Sequence, residues 1–342
     1  MLHRIQSEEY SPAGIFTPQG ANPNGYWEEI LRFFPIELRQ VLAGIQPNLQ
    51  PRVTEIRLRL NQPLEINLGN ESRFISATGA VVEDLKSALF IGANELKRVI
   101  NSITTGSFYA LDEELVQGYL TLPGGHRVGF GGRVLQNAGK IRLVRNISSL
   151  NFRIAKEIRG IARPVLPLLW KDGRFQKTMI LAPPASGKTT MLREIIREIS
   201  YGVPGMNLPG LTVGLVDERS EIAGSCQGVA QFDVGPRTDI LDACPKKEGV
   251  YLLLRSMNPQ VIATDEIGQE NDWAVLEDII NAGVSFITTA HARNLSEAMF
   301  RPGLRRILET GSVERMIILS NRLGVGTVES VKAGISGAEM WG

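Results

Sequence analysis

Cysteine is almost absent, with Cys226 and Cys244 the two examples in 342 residues. Their number and spacing exclude a disulfide framework and a cysteine-built zinc site. A reducing compartment is therefore expected, with both thiols as small core or loop residues. Charge of one sign is missing too: 37 basic against 36 acidic residues leave a formal net charge of +1. That balance gives no global attraction to nucleic acid, so any such binding has to be local. Nor does any apolar run approach the length of a membrane-spanning helix, and the opening stretch MLHRIQSEEYSPAG holds no apolar segment of signal-peptide length. The expectation is a soluble, cytoplasmic chain whose membrane role is peripheral.

What is present describes a globular protein with a sizeable core, 43% hydrophobic and 21% charged, long enough for two domains. Residues 1–26, rich in Ser, Pro, Gly, Asn and Gln over their later part, read as a flexible leader. Residues 27–155 read as an α+β domain: a helix over 93–103, alternating strands around 55–60, 63–68 and 72–76, and a β-rich meander with turn residues Gly124-Gly125 and Asn137-Ala138-Gly139. Residues 156–176, punctuated by Gly160, Pro164, Pro167 and Gly173, read as a linker with one short helical piece. From 177 to 335 apolar strands near 177–182, 211–216, 260–264 and 284–289 alternate with helices near 188–199, 246–257, 272–282 and 295–309, ending in a hairpin around 321–326. That alternation predicts an α/β domain with a parallel sheet flanked by helices. Residues 336–342 form a tail.

The most informative stretch is KTMILAPPASGKTTMLR, residues 177–193. An apolar strand enters the loop Ala182-Pro183-Pro184-Ala185-Ser186-Gly187, and Lys188-Thr189-Thr190 opens a helix whose Leu192, Ile195, Ile196 and Ile199 repeat at helical spacing. Loop N–H groups and a helix N-terminus surround a phosphate chain; Lys188 reaches its β and γ oxygens, and the Thr189 hydroxyl completes a Mg²⁺ shell. ATP and Mg²⁺ are thus the expected ligands. Ala182 stands where the G-x-x-x-x-G-K-[ST] pattern has its first glycine.

Ligands of parallel sheets bind beyond the carboxyl ends of the strands, and three further strand ends are polar. The strand ending at Thr264 runs into Asp265-Glu266, where one carboxylate can support the metal and its neighbour can polarise water. A second runs into Asp217-Glu218-Arg219, with Glu221 beyond, and a third into Ala290-His291. Each alone also fits a helix cap or a surface residue; together they favour an active site.

The order ASGKTT, VDERSE, LRSMNPQVIATDEIG and FITTAHARN resembles the secretion-type ATPases of type II and type IV systems. The phrases EIRLRLNQPL, SFYALDEELVQGYLTLPGGHRVGFGGRV and NISSLNFRIA narrow the resemblance, which covers residues 27–335, to the stage III sporulation protein AA family. It implies a RecA-like ATPase core that forms a ring, a hexamer, and energises a channel of stage III membrane proteins at the mother-cell face of the engulfment membrane. It also implies Asp265 as metal support and Glu266 as water activator, with Asp217 or Glu218 competing, and His291 as γ-phosphate sensor. Arginines of the N-terminal domain, here Arg127, Arg145 and Arg153, would reach the nucleotide, with Arg219 and Arg255 as further candidates. A related branch carries an Arg-x-x-x-His nucleic-acid module, and no such spacing surrounds His3, His126 or His291. The rival readings are a nucleic-acid-dependent RecA-like ATPase and an ATP-gated scaffold with negligible turnover.

Overall fold

Alternation in Glu55-Ile56-Arg57-Leu58-Arg59 makes a strand with one dry face: in the computed structural model Ile56 and Leu58 are fully buried and the three residues around them are not. The structure describes residues 25–69, 71–104, 118–137, 140–226, 228–269 and 272–341. Most of the expected leader, residues 1–24, and the turn residues 138–139 lie outside them. Those described fall into two units, residues 25–157 with 223–233, and residues 158–222 with 234–341.

In the first unit helices α1 (Gly25–Leu31), α2 (Ile36–Ala43) and α3 (Ala93–Ile103) accompany an antiparallel sheet. Its strands are β1 (Glu55–Arg59), β2 (Glu65–Asn67), β3 (Ser72–Ile75), β4 (Val81–Val82), β5 (Tyr119–Thr121), β6 (Arg127–Asn137) and β7 (Lys140–Arg153), in the order β4-β3-β2-β1-β7-β6-β5. Ile56, Leu58, Val128, Leu150 and Phe152 on one sheet face share a core with Trp27, Ile30, Phe34, Leu42, Leu96 and Val99 from the helices. Gly124 and Gly125 sit at φ 81° and 73°, which lets the chain turn between β5 and β6.

The second unit begins with a correction. The stretch expected as a linker is folded from residue 158 onward: a 3₁₀ turn at Leu166–Leu169 leads into the paired strands β8 (Trp170–Lys171) and β9 (Arg174–Phe175), and Ala162, Val165, Leu166, Leu169 and Phe175 are buried. Its prolines mark turns between apolar residues that have a core to enter. Next come β10 (Thr178–Ala182), α4 (Lys188–Tyr201), β11 (Val213–Asp217), β12 (Thr238–Asp242), α5 (Lys246–Ser256), β13 (Val261–Glu266), α6 (Asp272–Asn281) and β14 (Ser285–His291). The chain closes with α7 (Leu295–Phe300), α8 (Pro302–Glu309), β15 (Arg315–Ser320), β16 (Thr327–Ala333) and β17 (Ala338–Trp341).

The sheet order is β12-β11-β13-β14-β10-β15-β16-β17, parallel from β12 to β15 and antiparallel thereafter. β10 and β11 are buried at every residue, as strands covered on both faces must be. Met179 and Leu181 of β10 join residues of α5, α6 and α8 in one core cluster, while α4, which packs on β10 and β14, shares none of it.

Three further expectations change. The single helix expected over 295–309 breaks at Arg301, held extended at φ −93°, ψ 115° by the following Pro302. Residues 338–341 of the expected tail are an edge strand. Residues 223–233 leave the second unit after β11 and belong with the first, where Gln231 Oε1 accepts from Gly124 N at 3.0 Å and the Phe232 ring lies against Gly125, at whose position a Cβ would come within 2.5 Å of it. Among the described residues no helix is long and apolar enough to cross a membrane.

The first unit contains one fully buried imidazole. His126 Nδ1 accepts from Ala155 N at 3.1 Å; Nε2 has no hydrogen-bond partner, and the nearest carboxylate oxygen, Glu29 Oε2, is 3.9 Å away. Burial pushes its pKa down from 6.5 to about 4. Between those values the unfolded chain binds a proton that the folded unit refuses, so stability falls as pH drops through this window, by ~3 kcal/mol in all. Denaturant unfolding at pH 7 and pH 5 should show the loss, and His126→Gln should flatten it.

Candidate nucleotide site

The loop after β10 is shaped by two left-handed residues, Ala185 at φ 58° and Gly187 at φ 84°. Only the second has no alternative to glycine. A Cβ on Gly187 would lie 2.8 Å from Gly326 N and from Val325 Cγ1, in the turn between β15 and β16, and Gly326 N donates to Ser186 O at 3.1 Å. The terminal hairpin thus braces the loop from outside. Ala182, by contrast, is the last residue of β10, fully buried, in register with His291 and outside the left-handed region. Extended backbone there makes no demand for glycine.

β14 lies between β10 and β13, so its end stands between the loop and the acidic strand end. Lys188 Nζ is 2.7 Å from His291 Nδ1 and donates to the carbonyls of Ala182 and Pro183, both at 3.3 Å. On its other side His291 Nε2 is 2.9 Å from Glu266 Oε2. An imidazole carrying its proton on Nε2 satisfies both contacts. Burial lowers the Lys188 pKa, with Glu266 and Glu221 pulling it back up and Arg301 reinforcing the fall. Arg301, at the break between α7 and α8, is therefore a neighbour of the site that no motif announced.

The second polar group gathers at β11 and β13. Burial pushes Asp265 up to about 7; Lys246 opposes this, and Asp217 and Glu218 add to it. Asp265 Oδ1 is buried with no hydrogen-bond partner. Lys246 Nζ stands 3.8 Å from that oxygen and is ion-paired with Glu218. Asp217 is fully buried, and its Oδ1 and Oδ2 accept from the backbone N–H of Glu221 at 2.8 Å and of Ile222 at 3.0 Å. Those bonds close the turn after β11, so as a candidate water activator Asp217 gives way to Glu266.

Among the arginines singled out from sequence, Arg255 stacks on Tyr251 and donates to its hydroxyl at 2.7 Å, while Arg219 is exposed within electrostatic reach of Asp265. Arg127, Arg145 and Arg153 belong to the first unit. Arg127 lies over the Tyr119 ring, Arg153 opposes it across β6 and β7 with Glu55 at 3.8 Å, and Arg145 opposes Arg133.

The donor set suits Mg²⁺, a hard cation that takes one or two protein oxygens and completes its shell with water and phosphate. Asp265 offers a buried oxygen with no hydrogen-bond partner, and Thr189 supplies a hydroxyl on the first turn of α4. Among the described residues no cluster of three or more His, Cys, Asp or Glu could by itself hold a metal ion.

Two substitutions separate the loop positions. Gly187→Ala forces a side chain into left-handed backbone against Gly326 and should cost about 1–3 kcal/mol, whereas Ala182→Gly should cost about 0.5–1 kcal/mol in strand entropy and repair nothing. Urea unfolding of the two variants checks the order.

Three comparisons give the chain's relatives. The model of the family described as "Sporulation stage III, protein AA" matches residues 25–336. The Stage III sporulation protein AA of Bacillus subtilis (strain 168) is 39% identical over 303 residues, covering 89% of this chain and 94% of its own length. The uncharacterized protein ycf45 of Cyanidium caldarium is 26% identical over 174 residues, 51% of this chain and 49% of its own. Among solved structures, the Legionella pneumophila ATPase DotB superposes with a TM-score of 0.55 over 84% of this chain and 76% of that one, at 17% identity. That is a likeness of fold, and the fold is a RecA-like α/β core. A match over nearly the whole chain, with the loop and strand-end residues on one edge of such a sheet, means that the chain belongs to the sporulation stage III protein AA family.

Proposed function

We propose that this protein hydrolyses ATP with Mg²⁺, and the observation behind the proposal is the line Lys188–His291–Glu266 across three adjacent strand ends. α4 and the loop before it present backbone N–H groups to the phosphates, and the Lys188 ammonium, held at the loop by two carbonyls, is poised to move onto the β and γ oxygens. Thr189 and Asp265 would hold Mg²⁺, which supplies charge neutralisation on the phosphate oxygens. Glu266 takes the proton of the attacking water; His291, hydrogen-bonded to it, fixes the carboxylate and contacts the terminal phosphate. Glu218 is a poorer base, because Lys246 already holds its charge.

By family membership we extend the reading to a ring, a hexamer, that couples hydrolysis to a complex of stage III membrane proteins at the mother-cell face of the engulfment membrane.

Steady-state turnover tests the chemistry. Lys188→Ala should lower kcat by about 10²–10³, as loss of a transition-state donor does. Glu266→Gln should keep nucleotide affinity and lose about 10²–10⁴ in kcat. Unchanged hydrolysis in Lys188→Ala rejects the assignment. Single-stranded DNA or RNA should leave the rate unchanged; stimulation that collapses with salt would instead favour the nucleic-acid-dependent reading.

A further inference from the structure

Besides Glu266, four carboxylates sit at the ends of three neighbouring strands: Asp217 on β11, with Glu218 just beyond it, Asp242 on β12 in register with Asp217, and Asp265 on β13. Asp217 accepts from two backbone N–H groups, while Glu218 and Asp265 both lie within 4 Å of one lysine ammonium, with the exposed Arg219 within electrostatic reach of Asp265. Lys246 reaches this place from the first residue of α5. A lysine there is unfavourable for the helix, because the N-terminal end of the macrodipole is positive. Its side chain is nevertheless drawn in to 13% exposure, with Nζ on Glu218 and 3.8 Å from Asp265 Oδ1. Attraction to the two carboxylates outweighs both the helix dipole and the entropy of the long side chain.

We propose that Lys246 is a positioning residue of the ATP site, which ties up Glu218 so that, of the two carboxylates it reaches, only Asp265 remains offered to the metal. The proposal deepens the ATPase reading and rests on it. Unpaired, Glu218 and Asp265 would together attract a divalent cation whether or not ATP accompanied it; a cation trapped there competes with the Mg²⁺ that must arrive on the phosphates. With Lys246 in place, Glu218 is engaged by the ammonium, and metal binding depends on the nucleotide. Glu266 stays apart from this group, engaged with His291.

The experiment measures Mn²⁺ binding to the full chain by electron paramagnetic resonance with no nucleotide present, so that it reads Lys246 even in a protein that fails to turn over ATP. Lys246→Met should bind free Mn²⁺ about tenfold tighter than the unaltered chain, and Lys246→Arg, which keeps the charge, should restore weak binding. Glu218→Gln alone should change Mn²⁺ affinity by less than about threefold, because its charge is already taken, and combined with Lys246→Met it should abolish the gain. With ATP and Mg²⁺, Lys246→Met should lose kcat with little change in KM. Three results overturn the proposal: Mn²⁺ affinity unchanged in Lys246→Met, the gain retained in the double variant, or tenfold weaker binding in Glu218→Gln, which would make Glu218 itself a metal ligand. Should Lys246→Met not fold, the Glu218→Gln measurement decides alone.

Discussion

The insertion of β14 between β10 and β13 is the constraint on which the site depends. Parallel pairing aligns the carboxyl ends of the three strands, so residues more than a hundred positions apart in the chain, Lys188 and His291, come within hydrogen-bond distance, and Glu266 meets the other side of the imidazole. Strand order does this without a bespoke loop. The same order puts Asp265 beside β11 and its acidic turn, separating the contact between His291 and Glu266 from the group that Lys246 joins, Asp265 and Glu218.

Rigidity around this edge comes from contacts that leave little freedom. Gly187 is pressed on the turn at Gly326, whose own Cβ position is filled by Ile161 Cδ1. Asp217 and Arg193 clamp the chain leaving β11, the first on the N–H groups of Glu221 and Ile222, the second on their carbonyls. A phosphate site needs such support, because backbone N–H groups act as a preformed cradle only if the loop keeps its shape.

Much of this was legible in the sequence. The run Met179-Ile180-Leu181 and the helical repeat after Lys188 specify strand, loop and helix, and the alternation in 55–59 specifies the first sheet's dry face. What escaped was non-local. Thr238–Asp242 carries a weak apolar pattern, half-exposed at the sheet edge, and becomes a strand because β11 is there to pair with it. Pro164 and Pro167 read as linker punctuation, yet Ala162, Val165, Leu166 and Leu169 between and around them are buried. Asp217 looked equivalent to Glu218 until the turn after β11 was seen to consume both of its oxygens. Lys246 had no motif at all: its role exists only because β11 and β13 are neighbours, which residue spacing does not reveal. Arg301 was hidden inside a stretch read as one helix.

The central claim is that Lys188, His291 and Glu266 act on one phosphate as a unit, and a double-mutant cycle on kcat tests it most directly. His291→Ala, Glu266→Gln and the double variant should show strong coupling, the double losing no more than the worse single, because His291 works through the carboxylate it holds. Losses that simply multiply would mean that the two residues act independently and that their contact has no part in turnover.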